Sequence, residues 1–390
     1  MGKRLKIIRV TTKPISLSIL LKGQLKYINK FHDMVAISSP GKELIDFKNE
    51  EGIKTISLNM TRKITPFKDI ISLIKMIKIL KKEHPDVVHS HTPKAGIISM
   101  LASVICKIPH RLHTVAGLPL MEATGLRRKI LLFVEWLTYK CATKVYPNSY
   151  GLKKFILENI SISKKKFLVI GSGSSNGIDT DYFNRTKEVK KMALTYKKKF
   201  ALTKMFSFIF IGRIVKDKGI EELFRAFVRL SHKYKNTRLS ILGWEEKDLD
   251  PISHDAKKII ATNKRIINLG FKKDVRPYLA ASDCLVLPSY REGFPNVVLQ
   301  AGSLMVPSIV SDINGCNEII QNENNGLLVK PKDEESLYLA MEKILLDKNF
   351  CKSLAKSARK NIVKKFQRDI FYNEILAHYS SLNNRVFNKH

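Results

Sequence analysis

The 390-residue chain carries 69 Lys+Arg against 35 Asp+Glu, a formal charge of +34, with 44% apolar residues and only 14 prolines and 19 glycines. That composition excludes a disordered, fibrous or disulfide-scaffold protein, and the length calls for two cores, since domains cluster at roughly 100–200 residues. The charge predicts attraction to polyanions such as phosphorylated substrates, anionic lipid or nucleic acid, although lysine spread along an Ile- and Asn-rich chain is also what AT-rich codons produce.

Residues 1–10 run directly into a strand pattern without an apolar leader, and Lys6 stands where a myristoylation signal after Gly2 needs Ser or Thr. No stretch reaches about 18 uncharged apolar residues, so no membrane-spanning helix is expected. Cys106, Cys141, Cys284, Cys316 and Cys351 form no CxxC pair and read as reduced thiols, so a cytoplasmic location is expected. Strands are expected at Lys6–Val10, Val35–Ser38, Thr55–Leu58, Val87–His89, Arg111–Thr114, Lys144–Pro147 and Phe167–Ile170. Helical patterns at Phe67–Glu83, Lys94–Cys106, Arg127–Cys141 and Tyr150–Glu158 lie between them, which implies a parallel sheet covered on both faces.

The pattern then lapses into Gly171-Ser-Gly-Ser-Ser-Asn-Gly177, which lacks the G-x-G-x-x-G spacing of a dinucleotide fingerprint, and a lysine-rich helix with little apolar periodicity. A second series follows. Its strands are Phe206–Ile211, Leu239–Gly243, Ile266–Leu269, Cys284–Pro288, Ser308–Ser311 and Gly326–Val329, and its helices include Gly219–His232, Asn296–Leu304, Glu334–Leu346 and Phe350–Lys364. The expected fold class is α/β, two doubly wound Rossmann-like domains, 1–180 and 181–365, facing across a cleft. Residues 366–390 are expected as a helix packing back toward the first domain. Sheets of this kind bind ligands beyond the carboxyl ends of their strands.

Two strand-to-helix turns carry chemistry. The first, Gly212-Arg213-Ile-Val-Lys-Asp-Lys218-Gly219, puts two cations where bare helix N–H groups already favour an anion, and a diphosphate fits there. Arg213 offers a planar fork and Lys218 a compact point charge. The second is Glu292-Gly293-Phe294-Pro295-Asn296, followed by Val297, Val298 and Gln300. Pro295 suits the first helical position, which leaves the N–H groups of Asn296, Val297 and Val298 free to face a phosphate. Glu292 can accept bonds from sugar hydroxyls, and Gln300 can reach a ribose.

Gly212-Arg213…Lys218-Gly219, Gly243, Ala281-Ser-Asp283 and Glu292-Gly-Phe-Pro-Asn, in this order and spacing, resemble the retaining glycosyltransferases of family four, which have the GT-B fold; Asn176-Gly-Ile-Asp179 with Phe183 extends the likeness over nearly the whole chain. The resemblance implies that Arg213 and Lys218 bind the donor diphosphate, that Glu292, with Gly293 and Phe294, meets the transferred sugar, and that Gly243 and Phe271 border the nucleotide. Two departures stand out. Gln300 replaces the family's second Glu and weakens the ribose contact by losing its charge. Ala116 replaces the His before Gly117, with His113 three residues earlier as the candidate substitute.

His91, Lys94 and Gly117 are expected on loops that meet the acceptor. His89 and His91 are expected on opposite faces of their strand, which argues against a shared metal. Asp179-Thr-Asp181 and Asp248-Leu-Asp250 resemble the metal-holding Asp-x-Asp of glycosyltransferases with a different fold, but cations already fill that role, so no metal and no other cofactor is expected.

The implied reaction, EC 2.4 class, moves a sugar from a nucleotide sugar, of the UDP-N-acetylhexosamine type, to a polyprenyl-diphosphate-linked saccharide. The apolar faces of Phe67–Glu83 (Ile70, Ile71, Ile74, Ile77) and of Arg127–Cys141, both lysine- or arginine-flanked, allow peripheral contact with an anionic membrane on its inner face. The competing readings are an epimerase or phosphorylase of the same two-domain fold, and a basic nucleic-acid-binding protein; no nucleic-acid reader motif is present.

Overall fold

The computed structural model describes residues 4–63, 65–246 and 250–383. Gly2 of the lipidation reading, Asp248 of the second Asp-x-Asp string and the end of the expected C-terminal segment lie outside the described residues. The chain divides into two compact units, Met1–Asn176 with Arg368–His390, and Gly177–Gln367.

The first unit holds β1 (Lys6–Val10), β2 (Asp33–Ser38), β3 (Lys54–Ser57), β4 (Val87–His91), β5 (His110–Val115) and β6 (Lys144–Pro147), paired parallel in the order β3-β2-β1-β4-β5-β6. Continuous apolar runs such as Ile7-Ile8 suit strands buried on both faces. One face is covered by helices Pro66–Glu83, Pro93–Ile105, Gly125–Cys141 and Tyr150–Asn159. The other is covered by Pro14–Leu20, Gln24–Ile28, Lys42–Glu51 and Arg368–Asn383. In that last helix Phe371, Tyr372, Ile375, Tyr379 and Leu382 form the inward line, and Tyr372 donates its hydroxyl to the Lys22 carbonyl at 2.8 Å.

One expected strand of this unit fails for local reasons. Phe167–Ile170 is not a strand. Phe167 makes only an isolated bridge to Val145, because it emerges from a 3-10 turn at Lys164–Lys166 and the chain turns away at Gly171, φ 59°. In helix Pro66–Glu83 the inward line is Ser72, Met76 and Leu80, one turn apart, with Ile77 beside it. Ile70, Ile71 and Ile74, the rest of the apolar face read from the sequence, are 55%, 53% and 49% exposed.

The second unit repeats the design with β7 (Phe206–Ile211), β8 (Thr237–Leu242), β9 (Ile266–Gly270), β10 (Cys284–Leu287), β11 (Ser308–Ser311) and β12 (Leu327–Val329), in the order β12-β11-β10-β7-β8-β9. The lysine-rich helix Lys187–Lys199 is patterned after all. Val189, Ala193 and Tyr196 form a buried line, and the Tyr196 hydroxyl lies 2.7 Å from Ser240 Oγ. Three inward residues suffice because the other faces are solvated lysine. In each sheet the strand order reverses once, at β1/β4 and at β7/β10, and ligands of such sheets bind outside the carboxyl ends there.

Ile375, at 1% exposure, is the centre of the C-terminal helix's grip on the first unit. Ile375→Ala is expected to lower unfolding free energy by about 2–5 kcal/mol, whereas Ile370→Ala, on the exposed side, should change it by less than about 0.5 kcal/mol; urea unfolding of the two variants checks the difference.

Candidate functional site

The loops that follow β7 and β10 meet at the reversal point of the second sheet. After β7 the chain passes through Gly212 and Arg213 into a 3-10 turn, Lys216–Lys218, and reaches Gly219 before helix Ile220–Lys233. Gly219 has φ 64°, and a Cβ there would lie 1.9 Å from the Pro288 carbonyl oxygen, so only glycine lets the two loops touch. A Cβ on Gly243, which follows β8, would lie 1.7 Å from the Gly212 carbonyl oxygen. Gly243 therefore serves backbone packing behind the Arg213 loop.

That approach brings together two motifs some 80 positions apart. Lys218 Nζ donates to Glu292 Oε1 at 2.5 Å, and Ser289 Oγ donates to the same oxygen at 2.8 Å. Asn314 Nδ2 donates to the Glu292 carbonyl at 2.5 Å, which fixes the backbone of that loop. Arg213 Nη1 donates to Glu246 Oε2 at 2.5 Å, while Asp217 lies 3.9 Å from its other arm and pairs with Arg291. Lys218 and Glu292 are 16% and 13% exposed at the side chain and Arg213 29%, so each is mostly packed with an open edge. Ammonium and guanidinium keep donors beyond those used in these pairs, and the carboxylates act as struts that aim them.

Helix Asn296–Ser303 starts at the residue expected, but Pro295 does not open it. Pro295, with φ −75° and ψ 102°, is its cap and not its first residue, because that ψ is extended. Val298 N–H donates to the Pro295 carbonyl at 3.0 Å, so Val298 is removed from the set of free amides. Asn296 and Val297 N–H have no partner among the described residues, and they point along the axis where the helix dipole favours an anion. Phe294 is only 7% exposed and packs on Phe366, centroids 5.5 Å apart; it is core, and its expected contact with a sugar gives way to packing. Gly293 is buried beneath Gly315, and Gln300 is half-buried with no side-chain bond to a described residue.

Phe271, 56% exposed after β9, meets Trp244, 38% exposed after β8, edge to face at 5.5 Å. Trp244, one of two tryptophans in the chain, was not among the expected residues; an aromatic directly after strand-ending Gly243 was the signal for it. Asn314, Ser289 and Glu246 were also missed; Asn314 and Glu246 act from loops other than those of the residues they bond, and Ser289 lies three residues before Glu292.

The expected acceptor-side residues of the first unit fare differently. His91 is interior, at 1% exposure, and its ring stacks on that of His89 with centroids 4.8 Å apart. The expectation of opposite faces is wrong because residues two apart on a strand share a face. Lys94 is paired with Asp69 at 11% side-chain exposure, so it is not a free cation for an acceptor phosphate. Gly117 is open, with nothing within 4 Å of a built Cβ. His113 lies at 1% exposure beneath Gly96, with Nδ1 2.8 Å from Ser90 Oγ, and burial lowers its pKa to about 3. It is a neutral core residue, and substitution for the histidine missing at Ala116 is not what its position provides. Among the described residues no group of three or more His, Cys, Asp or Glu is placed to hold a metal ion. No helix among them is long and apolar enough to cross a membrane.

Residues 194–361 match the family described as Glycosyl transferases group 1, and residues 16–149 match the family described as Glycosyl transferase 4-like. A Staphylococcus aureus protein named capsular polysaccharide biosynthesis glycosyltransferase CapM is 32% identical over 97% of this chain and 98% of its own. An Escherichia coli enzyme, named UDP-Gal:alpha-D-GlcNAc-diphosphoundecaprenol alpha-1,3-galactosyltransferase, is 30% identical over 87% of this chain and 86% of its own. The crystal structure of Anabaena HepE in complex with UDP and glucose superposes with a TM-score of 0.81 at 17% identity, covering 97% of this chain and 100% of that one, a likeness of fold.

A histidine that must stay neutral when folded but protonates when unfolded destabilises the fold in acid: the contribution is intact above the unfolded pKa near 6.5 and is lost as pH falls from there toward 3. The expected slope for His113 is as much as ~1.4 kcal/mol per pH unit. Urea unfolding between pH 7 and 4 should show His113→Gln losing stability less steeply than the wild type by about one proton, and equal slopes would contradict the assignment.

Proposed function

The chain belongs to the group 1 glycosyl transferases, family four of the GT-B fold, and from that premise we propose that it moves a sugar, with retention of anomeric configuration, from a UDP-sugar to a lipid-linked saccharide in surface-polysaccharide biosynthesis. The observation that carries this reading is the Lys218–Glu292 pair, which holds a cation beside a carboxylate four residues before a helix whose first two amides have no partner among the described residues. In the proposed complex the diphosphate lies against Asn296 and Val297 N–H, Lys218 and Arg213. Glu292 meets the sugar hydroxyls, Gln300 accepts from a ribose hydroxyl, and the Trp244–Phe271 ledge offers a face to the base.

As the glycosidic bond to the diphosphate breaks, positive charge grows on the sugar and negative charge on the leaving group. Cations and amides already in place stabilise the latter without reorganisation. They fill the role a divalent metal has in other glycosyltransferases, so the reaction is proposed to need none. With Ala116 at the position of the family histidine and His113 buried, a leaving-group oxygen takes the acceptor's proton as the new bond forms.

The donor is proposed to be of the UDP-N-acetylhexosamine type and the acceptor a polyprenyl-diphosphate saccharide. The names of the S. aureus and E. coli relatives support the pathway and the lipid carrier. The exposed apolar residues of the first unit fit that carrier. Phe67, at 86%, with Ile70 and Ile71, and Leu126 at 73% with Phe133 at 60%, stand among Lys68, Lys75, Lys78, Arg127 and Lys129 on two helices that cover the same face of the sheet. Such a surface suits docking to anionic lipid on the inner face of the membrane, each nearby cation contributing about 1 kcal/mol.

Arg213→Ala and Lys218→Ala should each lower turnover by about 10²–10³-fold while leaving the protein folded; near-normal turnover in both removes the diphosphate assignment. The assay is transfer to a polyprenyl-diphosphate saccharide with nucleotide sugars first ranked by thermal shift, and activity should survive EDTA. Cosedimentation with phosphatidylglycerol vesicles at low salt should capture the wild type and fail for a Phe67→Glu, Phe133→Glu variant; equal capture of both would place the membrane contact elsewhere.

A further inference from the structure

A buried polar group stands on the face of the first sheet that meets helix Arg368–Asn383. Arg9 of β1 lies there at 1% exposure, next to His89 and His91 of β4, each also at 1%. Arg9 Nη1 donates to Tyr379 Oη at 2.5 Å, and Nη2 donates to His91 Nε2 at 2.6 Å. His89 lies 2.6 Å from the Tyr379 hydroxyl through Nδ1 and 2.7 Å from Thr114 Oγ1 through Nε2.

None of these partners carries negative charge. Desolvation, reinforced by Arg9, holds both imidazoles well below their usual range, so they are neutral, and burial raises the Tyr379 phenol. Charge on the guanidinium therefore has no counter-charge among the residues around it, although burial of an unpaired ion is strongly unfavourable.

The hydrogen-bond inventory points the same way. A guanidinium only donates, so His91 Nε2 accepts and the ring proton sits on Nδ1. That Nδ1–H, Arg9 Nε–H and the Ser175 hydroxyl all lack a partner among the described residues. Arg9, His91 and Ser175 line one cavity, with Gln24, Asn148 and Ile170, and it has room for a single water-sized particle. Gln24 Oε1 and Asn148 Oδ1 are unpartnered acceptors on the same wall, so a water molecule would meet the hydrogen-bonding demand; it would leave the charge unbalanced.

We propose that this cavity is a halide site whose lining yields slightly to an ion larger than water, so that a chloride-sized monovalent anion accepts hydrogen bonds from Arg9 Nε, His91 Nδ1 and Ser175 Oγ. By neutralising Arg9, the anion stabilises the Arg9–Tyr379 bond and with it the seating of the C-terminal helix on the first sheet. The site is independent of the sugar-transfer chemistry proposed for the second unit.

Thermal unfolding of the full chain at constant ionic strength, with sodium gluconate replaced stepwise by chloride or bromide, tests it. The expected result is a saturable rise in Tm of about 5–10 °C at a hundredfold excess over the dissociation constant. Crystals grown in bromide should show an anomalous peak within hydrogen-bond reach of Arg9 Nε and His91 Nδ1. Arg9→Gln should abolish the halide response. Since loss of Arg9 also removes the bond to Tyr379, Ser175→Asp provides the second arm: a built-in carboxylate should raise Tm in gluconate and cancel the halide response. A halide-insensitive wild type, a water at the anomalous-scatterer position, or a Ser175→Asp protein that responds to halide like the wild type would overturn the proposal.

Discussion

The contact on which the second unit's site depends is the approach of two loops, sealed by the 2.5 Å bond from Lys218 to Glu292. Each loop alone is an ordinary strand-to-helix connection. Joined, they set a cation and a carboxylate side by side at the carboxyl ends of β7 and β10, where the strand order reverses. The joint itself rests on backbone: Gly219 against the Pro288 carbonyl leaves no space for a side chain. A surface ion pair is worth little to stability, and a mostly packed one must be held by further hydrogen bonds to be useful. Ser289 and Asn314 provide them here, which argues that the pair is kept for positioning.

Charge balance runs through the same site. Among the described residues Arg213, Lys218 and Arg291 pair with Glu246, Glu292 and Asp217. The proposed ligand diphosphate would gain from reorienting cations that the fold has already desolvated in part, together with two helix amides that no described residue satisfies. Such preorganisation is the general route by which fixed dipoles and charges stabilise a departing anion.

Much of the fold was legible because strands buried on both faces are short apolar runs; Lys6–Val10, Lys144–Pro147, Phe206–Ile211 and Ser308–Ser311 were readable to the residue. What escaped was whatever depends on a neighbour. Ile70 and Ile74 belong to the apolar face of their helix, but packing selects the Ser72–Met76–Leu80 line and leaves them exposed. Phe294 sits in a motif that promises a ligand, but Phe366, more than seventy positions on, claims its ring. Trp244 and Phe271 come from separate strands and form a ledge only because β8 pairs with β9. The buried Arg9–His91–Tyr379 group joins residues some 370 positions apart, and an arginine in mid-strand gives no warning of it.

The central claim is that the second unit recognises a diphosphate, and comparison of UDP with uridine by calorimetric titration isolates that group. For the wild type, UDP should bind far more tightly than uridine, and in an Arg213→Ala, Lys218→Ala double variant the gap should largely close while uridine affinity stays the same. A gap that survives both substitutions would contradict the account.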